Sequence, residues 1–147
     1  MAFYGLFIGI DRYSSADVNW LSCARRDAVA MHALFTDTLG IGATLLVDAD
    51  ATRAAIESEF LRLFSATEVD VVVIYFSGHG TTTHQLVAHD TDLSVLDEST
   101  ISLDTLTEWF ARIPASRLIC ILDCCFSGGM GARGLLAILP RRQATDV

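Results

Sequence analysis

The chain has 147 residues, 52% hydrophobic and 19% charged, and its 10 basic residues, all arginine, face 18 Asp and Glu for a formal net charge of −8. That length is about one domain's worth, and the composition excludes disordered and collagen-like chains. An acidic chain with no basic run is a poor binder of polyanions, which argues against nucleic acid and anionic lipid as main partners and favours a cationic substrate.

The longest apolar runs, 71–76, 118–122 and 135–139, fall far short of the ~20 residues a membrane-spanning helix needs. The apolar start, MAFYGLFIGIDRY, lacks the basic opening and small-residue cleavage site of a secretory leader. Four cysteines (Cys23, Cys120, Cys124 and Cys125) in a chain that needs no staples are expected as reduced thiols in a cytoplasmic setting.

In chain order, residues 3–10 read as a buried strand. Over 22–39, Ala24, Ala28, Met31, Phe35 and Leu39 recur at spacings of three and four, one face of an amphipathic helix. A short strand is expected over 45–47. A second helix follows, capped by Thr52, with Ile56, Phe60, Leu63 and Phe64 on one stripe. Residues 69–76 are β-branched and aromatic, a strand that stops at Ser77-Gly78-His79-Gly80. Residues 85–88 suggest a short strand, followed by an acidic loop with Asp90, Asp92, Asp97 and Glu98. Ser102 caps a third helix with Leu103, Leu106 and Phe110 on a common face, ended by Pro114. Residues 117–122 form another buried strand, which runs into Asp123-Cys124-Cys125-Phe126-Ser127-Gly128-Gly129. Strands alternating with helices predict a single α/β domain, a mostly parallel sheet with helices on both faces.

In such sheets function sits at the carboxyl ends of the strands. Two strands here end in Gly-rich loops, one carrying His79 and the other Cys125. A thiolate nucleophile needs a nearby base, and room for a substrate carbonyl. The flanking glycines let a substrate backbone come close. The Gly80 and Cys125 N–H groups are candidates for an oxyanion hole, worth roughly 2.7–4 kcal/mol per donor.

Together these loops resemble the caspase-like cysteine peptidases, above all the metacaspases and their bacterial relatives. The resemblance rests on Tyr75-Phe76-Ser77-Gly78-His79-Gly80 and on the Asp123 to Gly129 motif preceded by Leu122. It extends to Ile8-Gly9-Ile10-Asp11-Arg12-Tyr13 and Arg26-Asp27-Ala28. It spans nearly the whole chain in the family's order, and a His about 50 residues before the nucleophile suits the caspase pattern. The Cys motif has the Asp-x-Cys-x-Ser-Gly form of metacaspases, not the Gln-Ala-Cys-Arg-Gly form of true caspases. The resemblance implies a caspase-like three-layer sandwich. It also implies a Cys–His dyad of Cys125 and His79, and cleavage after Arg or Lys held by Asp27 and Asp123. Two carboxylates suit a guanidinium fork. Asp27 also suits a helix's first turn on dipole grounds alone. Arg25 and Arg26 beside it leave cleavage after Asp, the true-caspase preference, as an alternative.

Cys124 and Cys120 read as small buried hydrophobes. The cysteine spacing lacks a C-x-x-C pair, so no metal is expected. His32, His84 and His89 read as surface or solvated side chains. Some metacaspases require calcium, but the acidic loop lacks EF-hand spacing, so it reads as solvated and no cofactor is expected. Ser77 as a hydrolase nucleophile fails, because Gly-x-Ser-x-Gly would need Gly where Tyr75 stands.

The resemblance further implies that residues 1–147 are the large-subunit portion, with the small-subunit portion in another chain or removed. An apolar strand at 135–139 would be exposed if unpaired, so association with that portion or a second copy is expected. Arg133, Arg141 and Arg142 are candidate self-cleavage positions. The family setting is regulated proteolysis in defence or cell death. The rival is a catalytically silent caspase-like interaction module.

Overall fold

The computed structural model describes residues 1–40 and 42–124, together with the backbone of the strand at 135–140. The elements are β1 (Phe3–Gly9), α1 (Ala24–Leu39), β2 (Gly42–Val47), α2 (Arg53–Leu63), β3 (Val71–Ser77) and β4 (Gln85–Leu86). They continue with the short α3 (Leu96–Ser99), β5 (Ile101–Ser102), α4 (Leu103–Arg112), β6 (Arg117–Asp123) and β7 (Leu135–Pro140). The main sheet runs β2-β1-β3-β6-β7, its first four strands mutually parallel and β7 antiparallel to β6. β4 and β5 form a small antiparallel pair outside it.

Alternation along the strands divides the core into two layers. Leu6, Ile8, Val72, Ile74, Phe76, Leu118, Cys120 and Leu122 pack with Ile56, Phe60 and Leu63 of α2 and Leu106 and Trp109 of α4. On the other face Phe7, Val73, Tyr75, Ile119 and Ile121 meet Ala28, Met31 and Phe35 of α1. The α/β/α sandwich expected from the alternation of elements is thus the observed one.

Local chemistry sets the helix boundaries. Thr52 Oγ1 accepts from Ala55 N at 3.2 Å and Ser102 Oγ from Thr105 N at 3.0 Å, the capping expected for both helices. α1 is different: Cys23 at its N-cap offers no side-chain bond, and Asp11 reaches across from the end of β1 instead. Its Oδ1 accepts from Ala24 N at 2.8 Å and its Oδ2 from Arg25 N at 3.3 Å. α1 ends at Gly40, whose φ of 61° suits a residue without Cβ and whose N–H bonds Thr36 O.

Several details depart from the sequence reading: the strand expected from 69 begins at Val71, and the one expected over 85–88 spans only Gln85–Leu86. β2 begins at Gly42, three residues early, because pairing with β1 from Tyr4 onward extends it. α4 buries Trp109 as well as Leu106, the indole lying 4.7 Å from the Phe60 ring, while Phe110 is only partly buried. Leu39 is exposed at the end of α1.

α1 lies unusually close to β1. A methyl group on Gly9 would stand 2.5 Å from both Ala24 O and Ala28 Cβ. Gly9→Ala must therefore push α1 off the sheet, at a cost of about 1–3 kcal/mol. Urea denaturation of this variant should show a lower midpoint at unchanged slope.

Candidate active site

The parallel register brings three strand ends to one level. Gly9 pairs with Val47 and Ser77, and Ser77 with Asp123. The ladder runs slightly beyond the strands, with Ile10 N bonding Ser77 O at 3.0 Å and Gly78 N bonding Asp123 O at 3.3 Å. The residues that leave β1, β3 and β6 therefore share one rim of the sheet.

His79 is two residues past the end of β3 and half-buried. Its Nε2 lies 2.7 Å from the main-chain carbonyl of Asn19. A carbonyl only accepts, so Nε2 carries the proton in this contact and Nδ1 is the basic nitrogen. The His79 main-chain N–H donates to Tyr13 Oη at 2.9 Å, and the two rings pack with centroids 5.1 Å apart. Gly80 pairs with Leu86 in an isolated antiparallel bridge whose bonds are Thr81 N to Gln85 O and Val87 N to His79 O. That pattern leaves the Gly80 amide outside the ladder.

The loop that supplies Asn19 is held at several points. Asp48, in the left-handed region at φ 48°, accepts through Oδ1 from Asp11 N at 2.9 Å and Arg12 N at 3.1 Å. An aspartate tolerates that conformation better than most residues. Leu21 N closes on Asp11 O at 2.8 Å. His89, read from the sequence as a solvated side chain, instead donates from Nδ1 to Arg12 O at 2.7 Å. The Arg12 guanidinium covers the exposed Trp20 ring at 4.9 Å.

On the α1 face, half-buried Asp27 stands in the first turn of α1 and half-buried Asp123 ends β6. On the same face is the buried Tyr75, stacked on Phe7 at 6.4 Å. Burial raises the Tyr75 phenol above its ordinary value. The Ser77 hydroxyl opposes the shift, while the negative charges of Asp123 and Asp27 both add to it. The two carboxylates thus act on one phenol from different elements. Arg25 is drawn toward Asp48, its Nη1 being 3.6 Å from Oδ2, and Arg26 Nε is 3.9 Å from Asp27 Oδ1.

Cys124 is buried within the larger core layer, as its reading as a small hydrophobe expects. Cys125, the sequence-assigned nucleophile, lies outside the described residues, as do Ser127, Gly128, Gly129, Arg133, Arg141 and Arg142. Three carboxylates of the acidic loop bind the backbone, Ser94 or Gln85. Asp90 Oδ1 accepts from Arg53 N at the start of α2, Asp92 Oδ1 from Ser94 N, and Asp97 Oδ1 from Gln85 Nε2. The Ser94 bonds hold the Asp92 carboxyl below its ordinary value. Among the described residues no cluster of three or more His, Cys, Asp or Glu is arranged to hold a metal ion, and no helix is long and apolar enough to cross a membrane.

A caspase-domain family model matches residues 3–143. The chain belongs to the caspase-domain family, a family of cysteine-type peptidases. Among solved structures, protein GSU0716 from Geobacter sulfurreducens aligns with a TM-score of 0.67 at 20% identity, over 85% of this chain and 51% of that one. A second, pro-sf-caspase-1, aligns with a TM-score of 0.63 at 14% identity, over 99% of this chain and 53% of that one. The second likeness establishes the caspase fold, and the chain spans about half the length of either structure. No curated protein matches it.

Two members of this constellation leave no mark that spacing would reveal. Asn19 acts through its main-chain carbonyl, which every residue has. Tyr13 stands at the end of the Ile8–Tyr13 motif, but nothing in the sequence pairs it with His79, 66 residues away.

The described cysteines differ in reactivity. Burial pushes the Cys120 thiol up to about 12, whereas Cys23 is exposed at the start of α1. Iodoacetamide at about pH 8 should therefore alkylate Cys23 in the folded chain and spare Cys120 until denaturant is added. Peptide-mass mapping reads both sites at once.

Proposed function

We propose that this caspase-domain protein is a cysteine endopeptidase that cleaves after Arg or Lys, with His79 as general base and Cys125 as nucleophile. The observation that carries the reading is the His79 contact with Asn19. Nε2 is committed to a carbonyl, so Nδ1 is the nitrogen available to take a thiol proton. β6 ends at the level where β3 ends, and Cys125 follows two residues after Asp123, as His79 follows Ser77.

In this mechanism Nδ1 takes the Cys125 proton, and the thiolate attacks the scissile carbonyl. The Gly80 and Cys125 amides hold the oxyanion. The imidazolium then protonates the leaving amine, and water, deprotonated by the same nitrogen, releases the acyl group. Asp27 and Asp123 hold the substrate guanidinium through charge-assisted hydrogen bonds. Support for a basic substrate residue comes from the two half-buried carboxylates beside Tyr75 and from the engagement of Arg25 by Asp48, which opposes the cleavage-after-Asp alternative. A cofactor is not part of this reading, nor is nucleic acid or a membrane.

The substrate groove is completed by a small-subunit portion or a second copy. β7 has β6 on one side and no strand on the other among the described residues, leaving an edge open to pairing. The proposed setting is regulated proteolysis in the cytoplasm, as in defence or cell death.

Incubation with a peptidyl Arg-chloromethylketone followed by intact-mass analysis tests the nucleophile and the pocket together. One adduct on Cys125 is expected; an adduct on Cys124 would move the assignment by one residue, and none with the groove completed would favour a silent interaction module. On an Arg-aminomethylcoumarin peptide, Cys125→Ala and His79→Ala should each lower kcat/KM by about 10³-fold or more. Asp27→Ala and Asp123→Ala should each lower it by about tenfold to a hundredfold, the worth of one charged hydrogen bond.

A further inference from the structure

We propose that Tyr13 is the positioning residue of His79, its hydroxyl locking the backbone from which the imidazole is aimed at Asn19. The proposal rests on the reading of His79 as general base for its consequence in catalysis, but not for its geometry. Tyr13 is 5% exposed and follows β1, whereas His79 follows β3. The phenol donates to Ile10 O at 3.1 Å and accepts the His79 N–H at 2.9 Å, so one hydroxyl joins the exits of two neighbouring strands. The tilted ring packs against the imidazole itself. The intervening Gly78 is matched to this arrangement, since a Cβ there would stand 3.0 Å from the Tyr13 oxygen.

Three contacts thus fix the imidazole: a carbonyl at Nε2, an aromatic ring against its side and a hydroxyl under its own main-chain nitrogen. Without the hydroxyl, the His79 N–H loses its acceptor in a partly buried setting and the turn at Gly78 is free to drift. Misplacement of a catalytic group by as little as about 1 Å can cost 10²-fold in rate. Burial raises the phenol well above its ordinary value; the His79 N–H opposes the shift and the charges of Asp11, Asp48 and Cys124 add to it, so the proton it donates to Ile10 stays in place throughout the working pH range.

Tyr13→Phe removes the hydroxyl and keeps the ring. Nitrogen-15 NMR of the histidine-labelled chain reads the result without requiring turnover. In the unmodified chain, neutral His79 is expected as the Nε2–H tautomer with a slowly exchanging proton. In folded Tyr13→Phe the tautomers should mix and that proton should exchange at least about tenfold faster. An unchanged tautomer and exchange rate in a folded variant would overturn the proposal and leave Tyr13 a packing residue.

Should the variant fail to fold, the native chain decides. The His79 amide must exchange at least about tenfold more slowly than an exposed loop amide such as that of Thr82, and unprotected exchange overturns the proposal. On an Arg-peptide, Tyr13→Phe should lower kcat by about tenfold or more with KM within about twofold, and shift the acidic limb of its pH profile. A raised KM with kcat intact would also overturn it. Silence toward peptide with the groove completed refutes the peptidase reading while leaving the tautomer measurement to decide the role of Tyr13.

Discussion

The arrangement depends on the register of three parallel strands. β1, β3 and β6 pair so that Gly9, Ser77 and Asp123 lie on one line across the sheet. Parallel ladders, with evenly spaced slanted bonds, carry that alignment without slippage when both faces are buried, because a one-residue shift would turn every core side chain to the wrong layer. Each strand then delivers its following residue to the same rim, which is how the loop after residue 10, the turn that carries His79 and the end of β6 at Asp123 come to one level.

The rim is held by polar ties from outside the strands. Asp11 caps α1 from the end of β1, and Asp48 clamps the two amides that follow β1 from the end of β2. Each replaces water at a backbone donor with a charged acceptor, roughly twice as strong as a neutral hydrogen bond. The helix that carries Asp27 is therefore positioned by the strand ends, with Gly9 permitting the close approach. One set of contacts thus places the acidic α1 face and the His79 loop together.

Within that frame the polar and apolar sides of the strand exits have different fates. Alternation carries Asp123 to the α1 face with Ile119 and Ile121, and Cys124 into the layer that also holds Cys120. The buried thiol of Cys120 is held in its neutral form by its surroundings, as suits a residue whose task is to fill space. The acidic loop after β4 likewise serves structure: it caps α2, binds Gln85 and closes its own turn.

The sequence by itself determined the order and type of the elements. Burial on both faces forces unbroken apolar strands such as 71–76, and packing on one face forces the three-and-four spacing of Ala24, Ala28, Met31 and Phe35. It also marked His79, because a histidine between glycines at a strand's end is a local pattern. Only the tertiary structure decided what acts on that histidine. Asn19 contributes a carbonyl with no side-chain signature, and Tyr13 and Asp48 act across sequence gaps that local periodicity does not span. The depth of Trp109 was equally hidden: one α4 face could be drawn through Leu106 and Phe110 or through Leu106 and Trp109, and although both rings meet Phe60 of α2, only Trp109 is buried there.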